Sequence, residues 1–219
     1  MANPTIIDNQ VFIKPIQSGK DSYAYVCESD DMLFTNCAFD GTTGEWGFKT
    51  SLHFNLEFRN CIFKNGSERA FDAVRGGVFK FVDCKFKNDN CARSKTSHRF
   101  TLSKTCDVGM KAGVRDVSFE RCEIDDVLLG DYSIYDQIDR PKTRRISFKD
   151  CINPSGGPIH VRGFHVSHQA DMLKVENTKL VTFFWPAWCV QLYWWFNRKF
   201  GDKRVISPDQ FVIHDMEKI

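Results

Sequence analysis

Leu56-Glu57-Phe58-Arg59-Asn60-Cys61-Ile62-Phe63 and Phe79-Lys80-Phe81-Val82-Asp83-Cys84-Lys85-Phe86 follow one rule, and four further stretches of the chain obey it. Each is anchored on a central residue: Cys37, Cys61, Cys84, Cys122, Cys151 and Thr178. Five positions before the anchor stand Met32, Leu56, Phe79, Val117, Ile146 and Leu173. Three positions before it stand Phe34, Phe58, Phe81, Phe119, Phe148 and Val175, so both positions are always apolar. Two positions after it stand Phe39, Phe63, Phe86, Ile124 and Leu180, with Asn153 as the exception. The residue just before the anchor is never apolar: Asn36, Asn60, Asp83, Arg121, Asp150 or Asn177. A repeat of this length outranks local propensity as a guide to the fold.

Apolar residues two apart lie on one face of a strand, which accounts for the pair before the anchor and for the pair it starts. Between the pairs the period slips from two to three. One extra residue there turns the chain and keeps both apolar faces inward. Asn or Asp occupies the slip in five of the six stretches, and these side chains tolerate the left-handed conformation. The rule therefore predicts strand, bend and strand, once per coil of a parallel β-helix.

Successive anchors lie 24, 23, 38, 29 and 27 residues apart, one supersecondary unit each with variable loops. The 38-residue interval carries an insertion at residues 87–113, rich in Lys, Arg, Ser and Thr. With its Asn36, Asn60 and Asn177 bends and its cysteine and phenylalanine ladders, the chain resembles the pectate-lyase-like right-handed parallel β-helix superfamily over roughly residues 24–180. The resemblance implies an all-β, single-stranded right-handed β-helix of about six coils. It also implies that any catalytic carboxylates would stand on the outer face of the sheet preceding the bend.

Length and composition fit one domain in three parts: an N-terminal covering segment (1–23), the β-helix (24–180) and a C-terminal extension (181–219). Net charge is +2 over 58 charged side chains. Such a mixed surface selects neither nucleic acid nor an anionic mimic of it. Nine cysteines, five of them anchors, read as buried thiols, since free Cys packs as a small hydrophobe. A serine at an anchor is expected to leave an ill-satisfied hydroxyl. The count is odd, the spacings are not those of a zinc module, and no cofactor motif occurs. Residues 1–8 lack a basic and then apolar leader, so the expected location is cytoplasmic, membrane-associated or in a virion.

Leading into the extension, Leu180-Val-Thr-Phe-Phe-Trp-Pro-Ala-Trp-Cys-Val-Gln-Leu-Tyr-Trp-Trp-Phe196 is 17 residues without a charge. Pro186 suits a helix start and Gly201 its end, with Arg198 and Lys199 complementing the dipole. Three readings of this aromatic helix stand: a cap on the open solenoid, an interface with a partner, or contact with a membrane surface. Its interaction candidates are Trp185, Trp188, Leu192, Trp194, Trp195 and Phe196.

For chemistry, the sheet before the bend is expected at residues 45–50, 68–75, 97–103, 131–136 and 159–166. These segments offer Asp72, Asp131, His98 and His160 as candidate catalytic groups. Paired carboxylates there would suit glycoside hydrolysis or lyase chemistry, yet no acid recurs at a fixed offset from coil to coil. Two basic clusters, Arg93 to Lys104 and Arg140 to Arg145, read as solvated loops. The sequence therefore favours a non-catalytic structural or interaction protein, of a kind suited to a virus or phage, that oligomerises or docks through its C-terminal aromatic segment. A carbohydrate-active β-helix enzyme and a membrane-attached scaffold are the alternatives.

Overall fold

The computed structural model describes residues 4–13, 23–27, 30–41, 46–50, 55–65, 69–73, 77–88, 106–110, 116–129, 145–164 and 173–185. Every element among them is a β-strand. The first sheet contains β1 (Thr5–Asp8), β4 (Met32–Thr35), β7 (Asn55–Arg59), β10 (Val78–Val82), β13 (Asp116–Glu120), β15 (Arg145–Lys149) and β17 (Leu173–Glu176). The second contains β2 (Val11–Phe12), β5 (Ala38–Asp40), β8 (Ile62–Lys64) and β11 (Lys85–Lys87), extended by single bridges at Glu123 and Ile152. The third contains β3 (Tyr23–Cys27), β6 (Trp46–Thr50), β9 (Arg69–Ala73), β12 (Cys106–Met110), β14 (Asp126–Leu129), β16 (Ile159–Phe164) and β18 (Leu180–Trp185). All pairings are parallel, and successive coils pass through the three sheets in turn, except that the last runs from β17 in the first sheet to β18 in the third. This is a β-solenoid.

The bend between the first and second sheets follows the sequence rule. Asn36, Asn60, Asp83, Arg121, Asp150 and Asn177 all have φ between 48° and 54°. Asn9, with φ 52°, is a seventh. Residues 4–13, expected only to cover the first coil, form the bend and two strands of a further coil: β1 pairs with β4, and β2 with β5. Ile7, Asn9 and Phe12 sit at the rule's positions, but the anchor there is Gln10, which hid the repeat.

Three aromatic ranks fill the interior. Phe34, Phe58, Phe81, Phe119 and Phe148 stack with neighbouring centroids 5.0 Å apart and rings within 13° of parallel. Phe12, Phe39, Phe63 and Phe86 stack at 4.9–5.1 Å from the second sheet. Tyr25, Phe48 and Phe71 form a third rank, giving way to Val108, Val127 and Val161. Between ranks the rings meet edge to face, as in Phe58 against Phe71 at 5.7 Å and 83°, the arrangement ring quadrupoles favour.

Two boundaries differ from the sequence reading. The third sheet crosses the fourth and fifth coils at Cys106–Met110 and Asp126–Leu129, not at 97–103 and 131–136. Insertions precede one strand and follow the other, so spacing alone misplaced both. The solenoid also continues to Trp185, because β18 pairs in register with β16; Trp185 therefore ends a strand rather than opening a helix. The remainder of the extension, with Trp188, Leu192, Trp194, Trp195 and Phe196, lies outside the described residues, as do Asp131 and His98.

Candidate functional site

Asp72 is on β9, where the resemblance would place catalytic acids, but it is buried against the equally buried Arg69 and ion-paired to it. The Arg69 side chain lies across Gly109 of β12: a Cβ there would stand 2.3 Å from Arg69 Cδ and 2.6 Å from its Nε. Glycine at 109 thus makes room for the guanidinium to reach Asp72. Asp72, a candidate only for the alternative enzyme reading, is thus a buried, ion-paired carboxylate and not an acid on an exposed strand face. Nearby, Cys106 and Leu128 form a small buried cluster apart from the main core.

His160 is half-buried on β16, in register with Asp126 on β14. Its backbone N–H donates to the Asp125 carbonyl at 2.8 Å. The register carries this row one strand further, since Val127 pairs with Val108 and so sets Asp126 beside Asp107. Asp107 is the centre of the site.

Asp107 is buried, and its carboxylate collects backbone donors from two sides. Oδ1 accepts the Asn88 N–H at 2.8 Å. Oδ2 accepts the Asp125 N–H at 2.8 Å, with the Asp126 N–H at 3.4 Å. The Asn88 side chain in turn donates to the Cys106 carbonyl at 3.1 Å. Burial pushes the Asp107 carboxyl up to about 7, against hydrogen bonds from Asp125 and Asn88 that pull it down; the charges of Asp126 and Asp125 add to the rise.

Asp107 lines a cavity of about 230 Å³ at the corner between the second and third sheets. Lys64, Lys85 and Lys87 project from the outer face of the second sheet, with Glu123 beside Lys85 in the next coil and Asp125 also lining the cavity. Lys85 is paired to Glu123 at 2.8 Å and Lys64 to Asp40 at 3.1 Å. Asn153 closes one side, donating to Asp125 Oδ1 at 2.7 Å and to the Pro158 carbonyl at 2.8 Å, while Ser155 Oγ donates to its Oδ1 at 2.8 Å.

A carboxyl that titrates near neutrality beside a cavity has the acidity that general acid–base catalysis needs. Here both oxygens already serve as acceptors for the backbone, so its first task is to hold the corner together. Among the described residues no group of three or more His, Cys, Asp or Glu side chains is arranged to hold a metal ion. Nor is any helix among them long and apolar enough to cross a membrane.

One signal for this site stood in the sequence. Asn153 breaks the apolar rule two positions after its anchor, and a polar residue at an inward position must find polar partners. It finds Asp125 and the Pro158 carbonyl. Asp107 carried no such mark, because nothing in its neighbourhood repeats. No family model matches the chain, and neither does any curated protein or solved structure.

Proposed function

We propose that this chain is a non-catalytic interaction module, built as a right-handed, pectate-lyase-like β-helix, that associates with a second copy of itself. The supporting observation is the first coil. Ile6, Val11 and Ile13 are 62%, 65% and 54% exposed, and they lie on or beside β1 and β2, which end their sheets. Edge strands of monomers are commonly guarded by charged side chains. From Pro4 to Ile13 the one charged residue is Asp8, and it is engaged by the Thr35 hydroxyl and by Asn36 Nδ2. A strand edge flanked by exposed aliphatic side chains suits association. The aromatic residues Trp188 to Phe196, a docking segment by the sequence reading, lie outside the described residues and carry no part of this argument.

Light scattering across a concentration series tests this reading. The wild type is expected to form a dimer or larger assembly, and Val11→Lys combined with Ile13→Lys should shift it to monomer with its β-sheet circular dichroism unchanged. A wild type that stays monomeric at every concentration would overturn the proposal.

The second reading, a carbohydrate-active enzyme, draws on the Asp107 cavity. Turnover of any member of a polysaccharide panel that disappears in a folded Asp107→Asn variant would favour it.

A further inference from the structure

The corner around Asp107 joins separate parts of the solenoid through one side chain. Asn88 follows β11 of the third anchored coil, and Asp107 is carried by β12 across the insertion that follows. Asp126 opens β14 of the next coil, and Asp125 immediately precedes it. Strand pairing between β12 and β14 begins at Val108–Val127. Ahead of that point, the Asp107 carboxylate and the bonds it accepts hold the strand beginnings together.

This carboxylate is buried without a cation among its hydrogen-bond partners, all of which are backbone N–H groups. The charged groups around it are Asp126 from β14 and Asp125 just before it, Glu123 from the preceding bridge, Lys64 from β8, Lys85 and Lys87 from β11, and, on β9 at the other edge of β12, Arg69 and Asp72, which are ion-paired to each other. His160 lies one strand beyond Asp126. The acids nearest in sequence and register oppose ionisation, while Lys64 and Lys85 are engaged by Asp40 and Glu123.

We propose that Asp107 makes this corner a pH-responsive joint, closed most firmly while its carboxyl is protonated and loosened as the carboxyl ionises. Two effects compete. Ionised, Asp107 is the better acceptor for its N–H donors, but it is a buried charge beside other acids. Protonated, it weakens one hydrogen bond and removes the charge. Full burial, with the Asp126 and Asp125 charges beside it, outweighs the backbone N–H bonds that favour the ionised form, so the closed corner holds the proton more tightly than the open one. Linkage then fixes the sign. The closed state binds more protons than the open state between the open-state value, near 3.8, and the closed-state value, about 7. Raising the pH through that window favours opening. The adjoining cavity supplies the water that the ionised carboxylate gains when the corner opens. The joint is independent of self-association, since it rests on residues far from the first coil.

Hydrogen exchange at the Asn88 and Asp125 amides reads the joint directly. After correction for the intrinsic exchange rate, the opening constant should rise about tenfold per pH unit between pH 5 and 6.5 and level off above about 7.5. His160→Gln should keep this slope, which shows that the histidine one strand beyond Asp126 is not its source. Asp107→Asn should flatten it. If that variant does not fold, the wild type still decides the matter through the carboxyl ¹³C shift of Asp107. A titration midpoint above 6 supports the joint, and a midpoint below 5 overturns it. A wild-type opening constant that is flat or falling with pH overturns it as well.

Discussion

The anchor thiols do more than fill space. Cys37, Cys61, Cys84, Cys122 and Cys151 each point Sγ at the carbonyl two residues back, at 3.2–3.4 Å. Thr178 Oγ1 makes the same bond to the Glu176 carbonyl at 2.9 Å. The expectation that a serine here lacks a partner is therefore corrected: the bend supplies an acceptor at every anchor. Cys84→Ser should cost only ~1 kcal/mol, chiefly for exchanging a thiol with a more polar group, as measured by chemical denaturation. Burial raises the Cys84 thiol well above its ordinary value and raises Cys37 as well, so both should resist alkylation until the chain unfolds. Asp72 behaves differently. Asp72→Ala strands a buried guanidinium and should cost ~3–5 kcal/mol, whereas Arg69→Met combined with Asp72→Leu should cost far less. Equal losses in the single and double variants would refute that account.

At the scale of the element, the unit is a strand, a one-residue left-handed bend and a second strand. Stacked bends tie neighbouring coils together: Asn60 Nδ2 donates to Asn36 Oδ1 at 2.7 Å, and Asn177 Nδ2 donates to Asp150 Oδ1 at 3.0 Å. Arg121 is the departure, an arginine with φ 52°. Its guanidinium grips Asp83 below it at 2.7 and 2.9 Å, which replaces the amide contact by a two-point ion pair. The Asn60 bend, with φ 51°, should tolerate Gly at the loss of one exposed hydrogen bond. Asn60→Val should cost ~2 kcal/mol, because a β-branched side chain is strained in the left-handed region. Thermal melts of the two variants would settle the point, and Val as stable as Gly would contradict the bend's geometry.

Over the whole molecule, opposing titrations shape stability. The Thr35 and Asn36 hydrogen bonds hold Asp8 below its ordinary value, and the Arg121 hydrogen bond does the same for Asp83. Their contribution is present above about 3.8 and is lost as the pH falls through the lower folded values. Asp107 has the reverse sign: stability is fullest below 3.8 and declines as the pH rises to about 7. The rise from 3.8 to about 7 corresponds to a loss on the order of a few kcal/mol across that window. The thermal midpoint should therefore peak in mild acid, near pH 4–5, and decline towards neutrality. In Asp107→Asn the decline should shrink. A wild-type midpoint that climbs steadily to pH 7 would count against the buried charge.

The sequence by itself determined the coil. A period of two that slips to three, with Asn or Asp at the slip, is local chemistry repeated, and repetition makes strand pairing the sole way to bury every apolar pair at once. It also set Asn153 apart as the exception to the apolar rule. Tertiary structure alone decided the rest. Gln10 concealed the first coil, because an anchor's identity matters less than the bend geometry of Asn9 before it. The strands of the third sheet carry no rule of their own, so their places at Cys106–Met110 and Asp126–Leu129 follow from pairing with neighbours already in register. Asp72 reads as an exposed acid until Arg69 is seen folded over Gly109. Asp107 becomes a site only because Asn88, nineteen residues before it, and Asp125, eighteen after it, are brought to its two oxygens. Burial and partnership are properties of distant chain brought close, and no local pattern encodes them.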